Sequence, residues 1–471
     1  MVFEQPRLLI DGQLVPASSE ATYDNINPAD ETVLGQAADA SAQDAQRAVS
    51  AARVAFDTTD WNRNVALRQR CLTQLQDALR ANLQHIYDIT VAEVGCPRSI
   101  AEPIQVDGPI DGMSFMIDLA GSYQYNRPLE DRVTWGVAVR RSVLREPVGV
   151  VSAITPWNYP LMLNLAKVLP ALAAGCTVVL KAAPDTPWTA AMLGRLVAEH
   201  TGFPPGVINI LTSSSPAEVG EVLIDHPDID AISFTGSTAT GRHIMQRAAR
   251  TIKRVFLELG GKSAAVALPD ADIDVVAAAT VSQAVMHSGQ GCAATTRLLV
   301  HRDHLGVATQ AAEQAMNSAG HGDPNDPSVV SGPLINARQR EKVTELIESG
   351  KRDATLVVGG EPSPFTKGFY VAPALFTDVP NDCRIAREEI FGPVLVITGY
   401  ETEAEALALA NDSIYGLAGA VYSADITRAQ QFAAGMNTGN VSINGAMWIA
   451  PDSPFGGHKQ SGIGSEHGVE G

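Results

Sequence analysis

Cys292 stands in HSGQGCAATTR, residues 287–297, with Gly289, Gly291, Ala293 and Ala294 around it. Small neighbours leave room for a substrate and let backbone N–H groups approach the sulfur, where they would stabilise a thiolate and the oxyanion formed after attack on a carbonyl. The plainer reading is a packed, inert thiol, because free cysteine behaves as a small hydrophobe. His287, five residues earlier, offers a base for a cysteine–histidine hydrolase, although a spacing of five is poor on a helix.

Three other stretches carry groups suited to chemistry. LELGGKS puts Glu258 at the end of an apolar strand, either paired with a cation or raised in pKa and suited to general-base work. TPWNYP holds Asn158 between prolines, as an amide donor for an oxyanion or as an Asx turn with Trp157 filling the core. AISFTGSTATG turns through Gly236 and Ser237 into a helix whose free N–H groups could hold a pyrophosphate, but the G-x-G-x-x-G fingerprint is absent and a plain strand-to-helix turn stays open. His301 and His304 have ligand-like spacing without a carboxylate or thiol companion motif, so a solvated loop and no metal is the expectation.

The elements that must position these groups follow from periodicity. Ser41-x-x-Asp44 is a capping signature ahead of apolar positions at helical spacing, and the first hundred residues read as largely helical. RVTWGVAVRRSVLREPVG, residues 132–149, is β-branched and Arg-bearing, an extended ribbon that needs a partner strand, for which another subunit is one source. Beyond it, short apolar strands alternate with amphipathic helices (VGVVSAI, TVVLKAA, VINIL, AISFTG, VFLEL), and a second alternation follows through RLLVH, PVLVITGY and AVYSAD. Two doubly wound α/β domains joined near residue 260 are the economical reading.

Bulk properties narrow the classes. A chain of 471 residues calls for two or three domains. The net charge of −18 argues against nucleic acid or anionic membrane as a partner, and no apolar run reaches membrane-spanning length. Five dispersed cysteines indicate neither a disulfide framework nor a zinc ribbon. MVFEQPRLLIDGQ lacks a basic segment leading into an apolar one, so cytoplasm is the default.

In chain order, TPWNYP, TVVLKAAPDTP, SFTGSTATG, LELGGKS, SGQGCAATTR, EEIFGPV and SPFGGHKQSGIG resemble the aldehyde dehydrogenase superfamily, NAD(P)-dependent and hydrolytic, from about residue 8 to the end. Each motif alone is weak, but seven in order are specific. The resemblance implies an α/β fold with a Rossmann-like cofactor domain (1–125 and 149–259), a catalytic domain (260–450) and a small β oligomerisation segment (126–148 and 451–471). It implies Cys292 as nucleophile, the Asn158 amide and the Cys292 N–H as oxyanion donors, Glu258 as activator of the hydrolytic water, and Lys167 with Glu466 in proton relay. For NAD it assigns Gly236 and Ser237 to the pyrophosphate, Lys181 to the adenosine ribose, Glu389 with Phe391 to the nicotinamide ribose, and Trp157 to the same cleft. Tyr159, Leu163, Met286, Trp448, Ile449 and Phe455 fall around the access tunnel, a set that suits a hydrophobic aldehyde.

Two departures stand out. Where many members read K-P-x-E, this chain reads Lys181-Ala182-Ala183-Pro184, so the carboxylate that holds a ribose 2′-hydroxyl and repels a 2′-phosphate is missing, with Asp185 beside it expected to point elsewhere. NAD is therefore expected first, with NADP allowed. The chain also stops at Gly471, short of the family's usual end, so either it is trimmed or its oligomer contacts differ. The ribbon still argues for a homodimer or homotetramer. The rivals are a CoA-acylating relative, which typically lacks the glutamate found here as Glu258, and a catalytically silent scaffold on the same fold, against which the presence of thiol, amide and carboxylate counts.

Overall fold

The computed structural model describes residues 6–446 and 449–471. Five parallel strands organise the first part: Val150–Ile154, Thr177–Lys181, Ile208–Leu211, Ala231–Thr235 and Arg254–Glu258. The first three are buried along their whole length, which is why they read as apolar runs instead of alternating ones. Their spatial order is third, second, first, fourth, fifth. It reverses between Val150–Ile154 and Ala231–Thr235, and open α/β sheets bind ligands beyond the carboxyl ends of strands at such a reversal.

Helices cover both faces. Leu72, Ile110, Leu165 and Leu193, from Val65–Ala81, Gly108–Ser122, Pro160–Ala174 and Pro187–His200, bury against one face, and Val49 and Val219, from Ala42–Thr58 and Pro216–Asp225, against the other. Proline opens three of these helices, where its missing N–H is no loss. Ser41 and Asp44 form the capping box expected from their spacing.

The N-terminal region is less helical than its sequence suggests. Leu8–Ile10 and Gln13–Val15 extend the first sheet antiparallel, and Thr22–Ile26 pairs with Val33–Ala38 before the first helix begins at Ala42. The cause is long-range pairing: three-residue strands carry almost no periodic signal, and Leu9 finds its partner at Ile210.

The chain leaves the first sheet at Glu258, crosses through Leu259–Lys262 and enters a seven-stranded sheet at Ser263–Ala267. Ala374–Thr377, Val394–Tyr400, Thr295–His301, Ser263–Ala267, Ala418–Tyr422 and Asn440–Ile443 run parallel there, with Thr355–Val358 antiparallel at one edge. The carboxyl ends of the first sheet therefore meet the amino ends of the second. Gly462–Ile463 then returns to pair with Leu257 and Glu258, and His458–Lys459 pairs with Tyr415–Gly416.

Asn126–Thr134 and Val137–Leu144 form a two-stranded antiparallel hairpin, so the ribbon's first partner strand lies in the same chain. Trp135 and Gly136 turn it with φ of 51° and 81°, the signature of the tight turns that match strand twist, and Trp135 is 99% exposed. Among the described residues no helix is long and apolar enough to cross a membrane.

Candidate active site

The strand Val150–Ile154 delivers Trp157, Asn158 and Tyr159 to the reversal point, and Pro160 starts the next helix. Thr155 pins the turn: its N–H donates to the Lys181 carbonyl at 3.1 Å and its hydroxyl to Asn164 Oδ1 at 2.7 Å. Asn158 is buried, and its Nδ2 reaches across to donate to the Gln290 carbonyl at 2.8 Å. Its own carbonyl accepts from His287 Nε2 at 2.9 Å and Gln105 Nε2 at 3.3 Å.

Cys292 is delivered by a strained turn. His287, Ser288 and Gly289 all lie in the left-handed region, with φ of 51°, 55° and 68°. A Cβ on Gly289 would stand 2.2 Å from the Gly392 carbonyl oxygen, so glycine is required there. For His287 and Ser288 the conformation costs about 1–2 kcal/mol each. Fixed bonds offset it: His287 N–H to Val330 O at 2.9 Å and Ser288 Oγ to Gly332 O at 2.5 Å. Because the His287 ring faces the Asn158 carbonyl, and burial lowers its pKa to about 4, it is a neutral hydrogen-bond donor and does not serve as a base for Cys292.

Glu258 ends its strand 2% exposed, with no conventional hydrogen bond to either carboxylate oxygen among the described residues. Burial pushes its pKa up to about 8; interaction with the Cys292 thiol offsets part of this, and the Glu466 charge adds to it. Cys292 is half-buried, and burial followed by the Glu258 charge pushes its thiol well above the ordinary range. Both groups therefore hold their protons at neutral pH when nothing is bound. Lys167 and Glu466 complete the charge set: Lys167 Nζ lies 2.6 Å from Glu466 Oε1, donates to Ser233 Oγ at 3.2 Å and sits 4.9 Å from the Phe256 ring centre.

Beyond this cluster, at the sheet reversal, groups expected to hold a dinucleotide come from the carboxyl ends of the strands. Gly236 N–H donates to the Glu258 carbonyl at 3.1 Å, and Ser237 caps the helix Thr238–Ala248, whose exposed N-terminal turn suits an anion. Lys181, at the end of the neighbouring strand, is lowered by burial to about 8. Glu389 accepts from Gly261 N–H at 3.0 Å, and a Cβ on Gly260 would stand 2.3 Å from Glu389 Oε2, so the two glycines let this carboxylate approach. Trp157 and Phe391 meet edge to face at 5.4 Å. Asp185 turns away to accept from Asn336 Nδ2 at 2.8 Å. Helix terminus, cation, carboxylate and aromatic pair fit an anionic dinucleotide, with no carboxylate in place of Pro184.

Cys292, Glu258 and Asn158 also open on a cavity of about 370 Å³ with a mainly apolar wall. Tyr159, Leu163, Met286, Ile449 and Phe455 line it as the sequence suggests, while Trp448 lies outside the described residues. Sequence reasoning missed Pro103, Ile104, Met116, Met162, Gln283 and His467 in the same wall. Two of these sit on a π-helical turn, Ala101–Asp107, in which Gly108 N–H donates to the Pro103 carbonyl five residues back. The proline was a visible signal of broken α-helical bonding, though not of what the turn would line. His301 and His304 meet edge to face, ring centres 6.1 Å apart, far along the second sheet.

Residues 14–471 match the family model "Aldehyde dehydrogenase family". The chain is 40% identical to a mitochondrial aldehyde dehydrogenase of Leishmania tarentolae, over 99% of this chain and 92% of that one. It is 38% identical to a geranial dehydrogenase of Castellaniella defragrans, over 100% and 97%. Among solved structures, a cysteine-to-alanine mutant of aldehyde dehydrogenase C from Pseudomonas syringae, in complex with NAD+ and octanal, superposes with a TM-score of 0.92 at 39% identity, covering 99% and 94% of the two chains. An aldehyde dehydrogenase of Mycobacterium tuberculosis complexed with NAD+ gives 0.94 at 39% identity, covering 99% and 95%. Sequence match, fold and the meeting of thiol, carboxylate and amide agree: the chain belongs to the aldehyde dehydrogenase family.

Proposed function

We propose that this chain oxidises a hydrophobic aldehyde to the carboxylic acid, with NAD as hydride acceptor and NADP tolerated. The observation that carries the reading is the shared site: Cys292, Glu258 and Asn158 line one apolar cavity, and Gly236, where the anion-suited turn begins, bonds to the Glu258 carbonyl. In the molecules in which Glu258 is ionised, a fraction that grows as pH rises toward 8, Cys292 Sγ attacks the aldehyde carbon and its proton passes to the Glu258 carboxylate. The resulting oxyanion is held by the Cys292 backbone N–H and by the N–H of the Asn158 amide not used by Gln290. Bound nicotinamide supplies the hydride acceptor that turns the thiohemiacetal into a thioester. Glu258 passes the thiol proton on toward the Lys167–Glu466 pair, and, ionised again, takes a proton from the water that attacks the thioester; the acid leaves and Glu258 returns this second proton to the Cys292 sulfur.

Lys181, Gly236, Ser237, Glu389, Phe391 and Trp157 are assigned to the cofactor, Lys181 and Pro184 to its ribose end. Relatives described with octanal and as a geranial dehydrogenase support an apolar substrate, as do the aliphatic walls. The domains are assigned as 1–125 with 149–259 for cofactor, 260–450 for catalysis, and 126–148 with 451–471 for assembly. The exposed hairpin supports a homodimer or homotetramer, and five unpaired cysteines support a reducing compartment, the cytoplasm.

The test is reduced-cofactor absorbance with NAD or NADP and a panel of aliphatic, aromatic and terpenoid aldehydes. Turnover of apolar aldehydes is expected, and none on any aldehyde would overturn the reading. A preference for NAD of several orders of magnitude in kcat/KM would exclude dual cofactor use. Turnover only with added CoA would favour an acylating enzyme, against which Glu258 stands.

A further inference from the structure

We infer that His287 is a positioning residue for the oxyanion-binding amide, clamping the Asn158 backbone so that one N–H of its side chain faces the reacting oxygen; this rests on the reaction proposed above. A primary amide has two N–H donors. In Asn158 one is committed to the Gln290 carbonyl at 2.8 Å. Gln290 is itself immobilised, its Oε1 accepting from Ile335 N–H at 2.9 Å and its Nε2 donating to the His287 carbonyl at 3.2 Å. The direction of the second N–H then depends on where the Asn158 backbone is held.

His287 Nε2 holds it, at 2.9 Å from the Asn158 carbonyl oxygen. A carbonyl only accepts, so Nε2 carries the hydrogen and Nδ1 is bare, buried and, among the described residues, without a hydrogen-bond partner. The ring also meets Tyr159 edge to face at 5.4 Å, fixing the next residue of the same segment. Its backbone is held at φ 51° in the turn that ends at Cys292. One residue thus ties the turn delivering the nucleophile to the segment delivering the oxyanion donor. Gln105 Nε2, at 3.3 Å, is the weaker second clamp on the same oxygen.

Three variants test this: H287F keeps the ring packing on Tyr159 and loses the donor, H287Q keeps a donor, and Q105L removes the second one. With NAD and octanal, the first-turnover rate of reduced-cofactor formation is expected to fall about 10- to 100-fold in H287F, short of full loss of an oxyanion donor, and about threefold in Q105L. H287Q should recover most of the H287F loss. NAD affinity and the rate of Cys292 alkylation by iodoacetamide should stay near wild type, which a merely misfolded site would not allow. An unchanged first-turnover rate in H287F, an H287Q as slow as H287F, or a loss confined to NAD affinity would overturn the proposal. If H287F does not fold, an undiminished rate in Q105L overturns it. A wild type that reduces cofactor with no aldehyde removes the parent reading instead, and the clamp is then judged from crystal structures: Asn158 Nδ2 displaced from the Gln290 carbonyl in H287F supports it, an unmoved amide overturns it.

Discussion

Lys167 Nζ and Glu466 Oε1 lie 2.6 Å apart, both buried, although 299 residues separate them in the chain. The pair acts on Glu258 from both signs: the Glu466 charge raises the Glu258 pKa and the Lys167 charge lowers it. Because Glu258 works ionised, activity rises with pH as it loses its proton. Glu466→Gln should therefore move the ascending limb of the kcat profile to lower pH, and Lys167→Gln should move it higher. Shifts in the same direction would disprove the coupling. Each variant also leaves a buried partner uncompensated, at a cost of about 3–5 kcal/mol in denaturant unfolding.

With its carboxyl raised to about 8, Glu258 predicts a steady-state rate that is low near pH 6, climbs through about pH 8 and levels above it. Glu258→Gln should abolish this limb and lower turnover by about 10²–10⁴-fold, while a first-turnover burst of reduced cofactor of near-stoichiometric amplitude persists. The burst should form more slowly than in wild type, because Glu258 also takes the Cys292 proton, and a burst as fast as wild type would show that another group accepts that proton.

The apolar wall predicts selectivity by length. Across a series of linear aldehydes, kcat/KM should rise by up to about 1–3 kcal/mol of transition-state binding per methylene until the cavity is full. Met116→Glu places a carboxylate in that wall and should reduce kcat/KM far more for octanal than for propanal. Equal losses for both would mean that Met116 acts through the fold and not through the substrate.

Glu93 predicts stability at the cofactor side. Its buried carboxylate accepts from Trp188 N–H at 2.8 Å, Thr189 N–H at 2.9 Å, the Thr189 hydroxyl and Asn25 Nδ2 at 3.1 Å. It thereby caps the helix Pro187–His200, whose own Thr186 makes no side-chain cap bond. Glu93→Gln turns an NH2 group toward these donors and should cost about 2–3 kcal/mol of unfolding free energy. A change below about 0.5 kcal/mol would show that water replaces the cap, as at an ordinary surface site.

The order of residues alone determined the chemistry on offer and much of the local structure. A thiol among small residues, a carboxylate ending an apolar strand, the Ser41–Asp44 cap and the strand–helix alternation are all encoded within a few positions, because propensity, capping and periodicity act over one or two turns of chain. Tertiary structure decided the rest. Leu9 became a sheet strand through Ile210, Glu466 met Lys167 across the molecule, and His287, whose spacing of five from Cys292 was already poor for a base, was turned to the Asn158 carbonyl. The Glu258 and Cys292 pKa values are tertiary in the same sense, since desolvation and neighbouring charge come from whichever distant segments the fold packs around a group, and no local pattern of residues specifies those.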